Sequence, residues 1–220
     1  MSSTNVGESQ DAQSVVWVLT ANCASANSAG NKINANDSNS YQLISATSSG
    51  RTIPSFIIGQ KNLLTNRGYM NSADTNSGSW NGCARRTWCN SNYYNAIPAT
   101  LRGILKQVKV ATIATYNGST MQYSNDYIFL NAAKEIFGGS GGGNSQYSNT
   151  TESSHLVQLS YYETSSHRIK YQGSTSNVYW WWNRSPSYYN SNRFCDVYSD
   201  GSAGGSSASR ATGLAPCGCL

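Results

Sequence analysis

Six cysteines, two histidines and ten acidic residues are the groups with which this 220-residue chain could do covalent or metal chemistry. Cys23, Cys83, Cys89, Cys195, Cys217 and Cys219 form an even set, which permits disulfides without requiring them. No C-x-x-C pair occurs, and neither His155 nor His167 is near a cysteine in sequence. The ligand spacing of a structural zinc site is therefore missing. The C-G-C of 217–219 is the one arrangement that looks like thiol chemistry, but a reactive thiol needs an electropositive setting, and no histidine stands close to it. Glu135 and Glu163 are isolated and form no spaced carboxylate pair. Calcium needs clustered oxygen ligands, and acids are scarce here. The expectation is a protein without catalytic residues, metal or cofactor.

Binding chemistry is better represented. Ser187–Thr212 consists almost entirely of Tyr, Ser, Asn, Gly, Asp, Ala and Arg. That is the composition of an antibody combining site, where Tyr gives large contact area at low entropy cost and Ser, Asn and Gly give adaptable hydrogen bonds. Tyr188, Tyr189, Arg193 and Tyr198 are the expected anchors, since Tyr and Arg are enriched at binding hot spots. Asn190, Asn192, Asp196, Asp200, Ser202 and Arg210 are the expected adaptable polar contacts. In "FCDVY", Cys195 and Val197 are expected to face inward, and Asp196 and Tyr198 outward.

A face of uncommitted residues needs a rigid support, and the residues just before the tract suit that task. Trp181 and Trp182 are large and stiff. Arg184 carries five donors in a planar fork that can tie several carbonyls. Pro186 fixes a backbone dihedral. All four are assigned to the scaffold.

Around these residues the pattern is α+β. Residues 14–20, "SVVWVLT", read as a strand, followed by an Asn/Ser/Ala-rich linker to residue 40. Further strands are expected at 41–46 and 53–58. Residues 84–96 read as a short helix. "PATLRGILKQV" places Leu101, Ile104, Leu105 and Val108 on one helical face. "VKVATIA", "YIFL", "HLVQLSYYE" and "HRIKYQG" read as strands, with one helical turn in "NAAKEIFG" and a mobile loop over the Gly/Ser-rich 138–154. Two units result: an attachment or linker segment at 1–40, and a binding domain at 41–220.

Only 11% of residues are charged, against about 25% in ordinary domains. The net charge of +5 is not gathered into a basic run, so nucleic acid is not an expected partner. The first ten residues lack the basic start and apolar core of a signal peptide, and "VVWVL" is too short to span a membrane. Release by lysis, as part of a virus particle, would place such a protein outside the cell.

Five blocks then resemble one family in order. "SGSWNGCARRTWCNSNYYNAIPATLRGIL" resembles G-W…M-R-T-W-L-N…F-Y-N-A-L-P…L-R, "YIFLNAAKEIFG" resembles K-L-F-L-L-S-x-x-E-V-F-G, and "HRIKYQG" resembles N-R-I-K-Y. "WWWNRSP" resembles W-W-x-R-S-P, and "FCDVYSDGSA…GLAPCGCL" resembles F-C-x-V-x-x-D-G…G-V-A-P-x-x-C. The family is found in prophages and phage-like elements of gut Firmicutes, and its members look like C-type-lectin-fold domains. The resemblance covers residues 41–220. Similar proteins include the phage tropism determinants and other variable proteins of diversity-generating retroelements. In those systems AAC codons become NNC, which encode no Lys, Glu, Gln, Met or Trp, and residues 187–212 contain none of the five.

The resemblance implies a receptor-binding protein of a phage tail or virion surface, made in the bacterial cytoplasm and acting outside it. Its partners would be a host-surface protein or glycan and other tail proteins, with a homotrimer by analogy to tail fibres. It also implies Cys195 and Cys219 as neighbours on adjacent strands and a disulfide pair. Cys217 departs from the family, where Gly is usual. The alternatives are an oxidoreductase of the sulfatase-modifying type, using 217–219, and a purely structural virion protein.

Overall fold

A computed structural model describes residues 41–44, 57–60, 63–64, 67–97, 99–139, 147, 150–172 and 176–219. The expected strand at 14–20, the attachment segment 1–40 and Cys23 lie outside these residues. The described architecture is α+β: nine short strands, all paired antiparallel within their sheets, and a few short helices. No described helix is long and apolar enough to cross a membrane.

The strands form three sheets. The first has the order β1 (Tyr41–Ile44), β2 (Ile57–Gln60), β9 (Cys217–Cys219), β5 (Ile128–Phe129). The last strand of the chain therefore lies between an early one and a middle one. The second is the hairpin β3 (Val108–Ile113) and β4 (Met121–Asp126), and the third is β6 (Trp181–Pro186), β7 (Arg193–Val197), β8 (Ala203–Ser207). β-Branched residues at Val108, Val110, Thr112 and Ile113 suit the hairpin strand.

Residues 84–96 are helical throughout: α-helix at Ala84–Trp88, one π turn at Cys89–Tyr93, α-helix again at Tyr94–Ala96. The helix expected from residue 98 is shorter than the apolar pattern implies. It spans Ala99–Arg102 and stops before Gly103, a poor helix former. Val108 belongs to β3 instead. The helical turn in "NAAKEIFG" forms at Ala133–Phe137 and ends on Gly138, whose φ is +65°. Three expectations fail. Thr150–His155 is a helix inside the supposed loop, "HLVQLSYYE" forms no strand but closes in a 3-10 turn at Ser160–Glu163, and "HRIKYQG" begins in a second 3-10 turn at Ser165–Arg168 and makes only single bridges at Tyr171 and Gln172.

The core runs between the sheets. Trp80, Tyr93, Leu130, Ile136, Tyr162, Trp181, Trp182, Phe194 and Leu214 are among its fully or almost fully buried members. Residues 212–214 stitch it shut. Gly68 and Thr212 exchange backbone hydrogen bonds of 2.8 and 3.1 Å, Leu64 N–H donates to the Leu214 carbonyl, and Gly213 bonds the chain at Trp180 and Trp182.

Candidate functional site

The buried frame beneath the tract begins with Arg184, 2% exposed. Its Nη1 and Nη2 donate to the two Glu135 carboxylate oxygens, both at 2.7 Å, Nη1 also to the Leu130 carbonyl at 2.8 Å, and Nε to the Ala111 carbonyl at 3.2 Å. One side chain thereby joins β6 to β3, to the residue after β5 and to the Ala133–Phe137 helix. Burial alone would lower the guanidinium's pKa; Glu135 beside it more than offsets that and holds it above the ordinary value. Trp181 and Trp182 leave β6 on opposite faces, as neighbours on a strand must. Trp181 Nε1–H donates to the Arg168 carbonyl at 2.9 Å and Trp182 Nε1–H to that of Gly68 at 2.7 Å. Both indoles are fully buried, and so is Pro186.

The tract itself is held by its backbone. Asn76, 1% exposed, accounts for much of this. Its amide N–H donates to the Ser191 carbonyl at 2.8 Å, and its Nδ2 donates to those of Asn190 and Arg193 at 2.8 and 2.7 Å. Ser187 Oγ accepts from the N–H groups of Tyr189 and Asn190. Ala208 ties the other end, with its N–H on the Asn192 carbonyl and its own carbonyl accepting from Met70 and Asn71. The β7–β8 hairpin turns through Gly201 at φ +82°, a conformation that L side chains rarely adopt. There Asp200 Oδ1 accepts from Ser202 N–H and Oγ–H at 2.9 and 2.6 Å, contacts that hold its carboxyl below the usual range.

With the backbone so fixed, the side chains divide. Tyr189 is 56% exposed and meets Tyr188 edge-on at 5.0 Å. Asp200, Ser202 and Arg210 are exposed, and Tyr188, Asn190, Asn192, Arg193 and Tyr198 are half-buried. Asn192 Nδ2 donates to Asp74 Oδ2 at 3.1 Å, so the loop before the first helix joins the same surface.

Asp196 requires a correction. It was expected to face solvent, and it is fully buried. The alternation in β7 does hold: Cys195 and Val197 share one face, Phe194 and Asp196 the other. Both faces are covered. Asp196 pairs with Gly204 across the sheet, and a Cβ on that glycine would fall into the Tyr198 ring and 2.6 Å from Asp196 Oδ1. The Tyr198 ring and the Asp196 carboxylate therefore both close over Gly204. Ser206 Oγ–H donates to Asp196 Oδ2 at 2.6 Å, while Oδ1 has no protein partner among the described residues. Burial pushes this carboxyl up to about 6, against the pull of Ser206, Arg210 and Arg193.

The cysteine pairing is corrected as well. Cys195 lies in β7 of the third sheet and Cys219 in β9 of the first, so they are not on adjacent strands, and no disulfide joins them. Cys217 and Cys219 are buried, and burial raises each to about 12, which keeps them protonated at neutral pH. Among the described residues no three His, Cys, Asp or Glu side chains gather in a metal-holding group.

Three residues outside the expected set complete the surface. Trp180, the first of the three tryptophans, is half-buried at the strand's entrance. Its ring lies 5.0 Å from that of Tyr198 and 6.5 Å from that of Tyr179, the latter pair stacked. The Arg210 guanidinium sits over Trp180 at 4.3 Å, and that of Arg67 over Tyr179 at 3.6 Å. Sequence alternation gives Trp180 the face of Trp182 and does not mark it as the one left half-buried. Nothing in sequence placed Arg67 there.

No curated protein and no solved structure matches the chain. Residues 54–220 do match one family model, a domain of unknown function designated DUF6273, and the chain belongs to that family.

Proposed function

We propose that the chain is a binding module of C-type-lectin-like fold, displayed on a phage tail or comparable virion surface, that takes a host-surface protein or glycan on the face built by residues 187–212. One observation carries this reading. The backbone of the tract is pinned to buried groups, Asn76 and Ser187 foremost, while Tyr188, Tyr189, Tyr198, Asp200, Ser202 and Arg210 keep exposed or half-exposed side chains. Such an arrangement lets side chains vary without loss of the fold, as a retroelement-diversified protein requires. The sulfatase-modifying alternative would need an ionised thiol, and burial works against one at 217–219.

Adsorption tests the reading. Labelled full-length chain is expected to bind cells of the strain carrying the gene or of its relatives. Changing Tyr188, Tyr189 and Tyr198 together to Ala should reduce that binding at least about tenfold, since each hot-spot aromatic contributes about 1 kcal/mol or more. Undiminished adsorption of a folded triple variant would refute it.

A further inference from the structure

The hairpin β7–β8 joins the rest of the tract through two stems, residues 190–193 and 207–210. One loop outside the tract, residues 70–76, touches both. Asn76 holds the first stem through the Ser191, Asn190 and Arg193 carbonyls. The N–H groups of Met70 and Asn71 hold the second through the Ala208 carbonyl, at 2.9 and 3.1 Å. The loop is braced from within: Asn71 Nδ2 donates to the Thr75 carbonyl at 2.7 Å, and Asn71 Oδ1 accepts from Ala84 N–H at 2.9 Å. Asp74 is exposed on this loop. Its Oδ2 accepts from Asn192 Nδ2 at 3.1 Å and its Oδ1 from Ser209 Oγ–H at 3.4 Å, partners 118 and 135 positions away in the chain. One carboxylate therefore spans the two stems, with one oxygen on each. Asp200, exposed on the same tract, bonds Ser202 two residues on and ties the hairpin tip to itself.

We propose that Asp74 is a positioning residue of the binding face: it sets the spacing of the two stems and makes 192 and 209 positions that require a hydrogen-bond donor. The inference rests on the binding function proposed above and deepens it, because it puts a determinant of that face outside residues 187–212. The chemistry of the groups gives the reason. A carboxylate only accepts hydrogen bonds, and Asn192 and Ser209 each turn a donor toward it. An acidic side chain at either position would set carboxylate against carboxylate with no hydrogen between them. Contacts this exposed contribute little to global stability. Surface segments nevertheless open locally when the few contacts that hold them are lost. The expected consequence is therefore local, stems that separate while the core stays folded.

The test joins amide hydrogen exchange of the full-length chain, read without ligand, to the cell adsorption described above. Asp74→Ala should speed exchange at Arg193, Ala208 and Arg210, whose N–H groups bond the Asn190, Asn192 and Ser207 carbonyls. It should weaken adsorption about three- to tenfold, as loss of one or two such hydrogen bonds does, and leave the urea midpoint nearly unchanged. Asn192→Asp should act in the same way. Adding Asp74→Asn to Asn192→Asp exchanges donor and acceptor at the net charge of the wild type, and should restore both slow exchange and adsorption. Glu163→Ala removes the same unit of charge from an exposed residue of the 3-10 turn at Ser160–Glu163 and should change neither. Unchanged exchange in Asp74→Ala would overturn the proposal. So would failure of the exchanged pair to restore the stems, or an equal effect of Glu163→Ala. Absence of adsorption by the wild-type chain would remove the binding function, and the exchange measurements alone would then uphold or overturn the hold of Asp74 on the stems.

Discussion

Asp196 is a buried carboxylate with one oxygen bonded to Ser206 and the other without a protein partner among the described residues. Its folded value near 6 lies above its ordinary 3.8, so the folded state holds the proton more tightly than the unfolded one. Its contribution is fully present below about pH 4 and is lost as pH rises through 6, an effect on the order of 2–3 kcal/mol. Asp196→Asn keeps an acceptor for Ser206 and removes the charge. Urea unfolding at pH 4, 5, 6 and 7.5 should show the variant gaining on wild type across that interval and leading at pH 7.5. Glu152, also raised by burial, titrates in both proteins and cancels in the difference. Parallel pH profiles would show that Asp196 is not the strained group. The residue also shows the limit of sequence patterning. Alternation says which residues share a face of a strand; it does not say whether that face is wet.

At the scale of elements, the weight falls on Arg184 and Glu135. Glu135→Gln leaves a buried guanidinium without its countercharge, which should cost about 3–5 kcal/mol in chemical denaturation. A double change, Glu135→Leu with Arg184→Met, should recover only part of this. The Leu130 and Ala111 carbonyls that Arg184 satisfies would stay unpaired. Full recovery would contradict the role of Arg184 as a tie among elements. Many elements were legible: the helix at 84–96, the turn in "NAAKEIFG", and strands at 41–44 and in "VKVATIA". The misses share a cause. Residues 150–163 have little period of either kind, and tertiary contacts decide their form. Glu152 is an example, fully buried and accepting from Ser185 Oγ–H at 2.7 Å.

For the whole molecule, the sequence marked the tract and its support but not their neighbours. Trp181, Trp182 and Arg184 are buried where the tract begins, as their types suggested. Asn76 and Arg67 reach the site from more than a hundred positions away in the chain, and no local pattern carries such contacts. The misplaced Cys195–Cys219 pair has the same origin, since sheet membership is a long-range property. The resulting division of labour, a face that can change on a frame that cannot, is the central claim. It is tested most directly by two libraries scored for protease-resistant, folded protein. One randomises Tyr188, Tyr189, Asn192, Tyr198, Asp200, Ser202 and Arg210 with NNK codons, which encode every amino acid; the other randomises Trp181, Trp182, Arg184 and Asn76 in the same way. Most members of the first library should remain folded and few of the second. Equal loss in both would contradict the account.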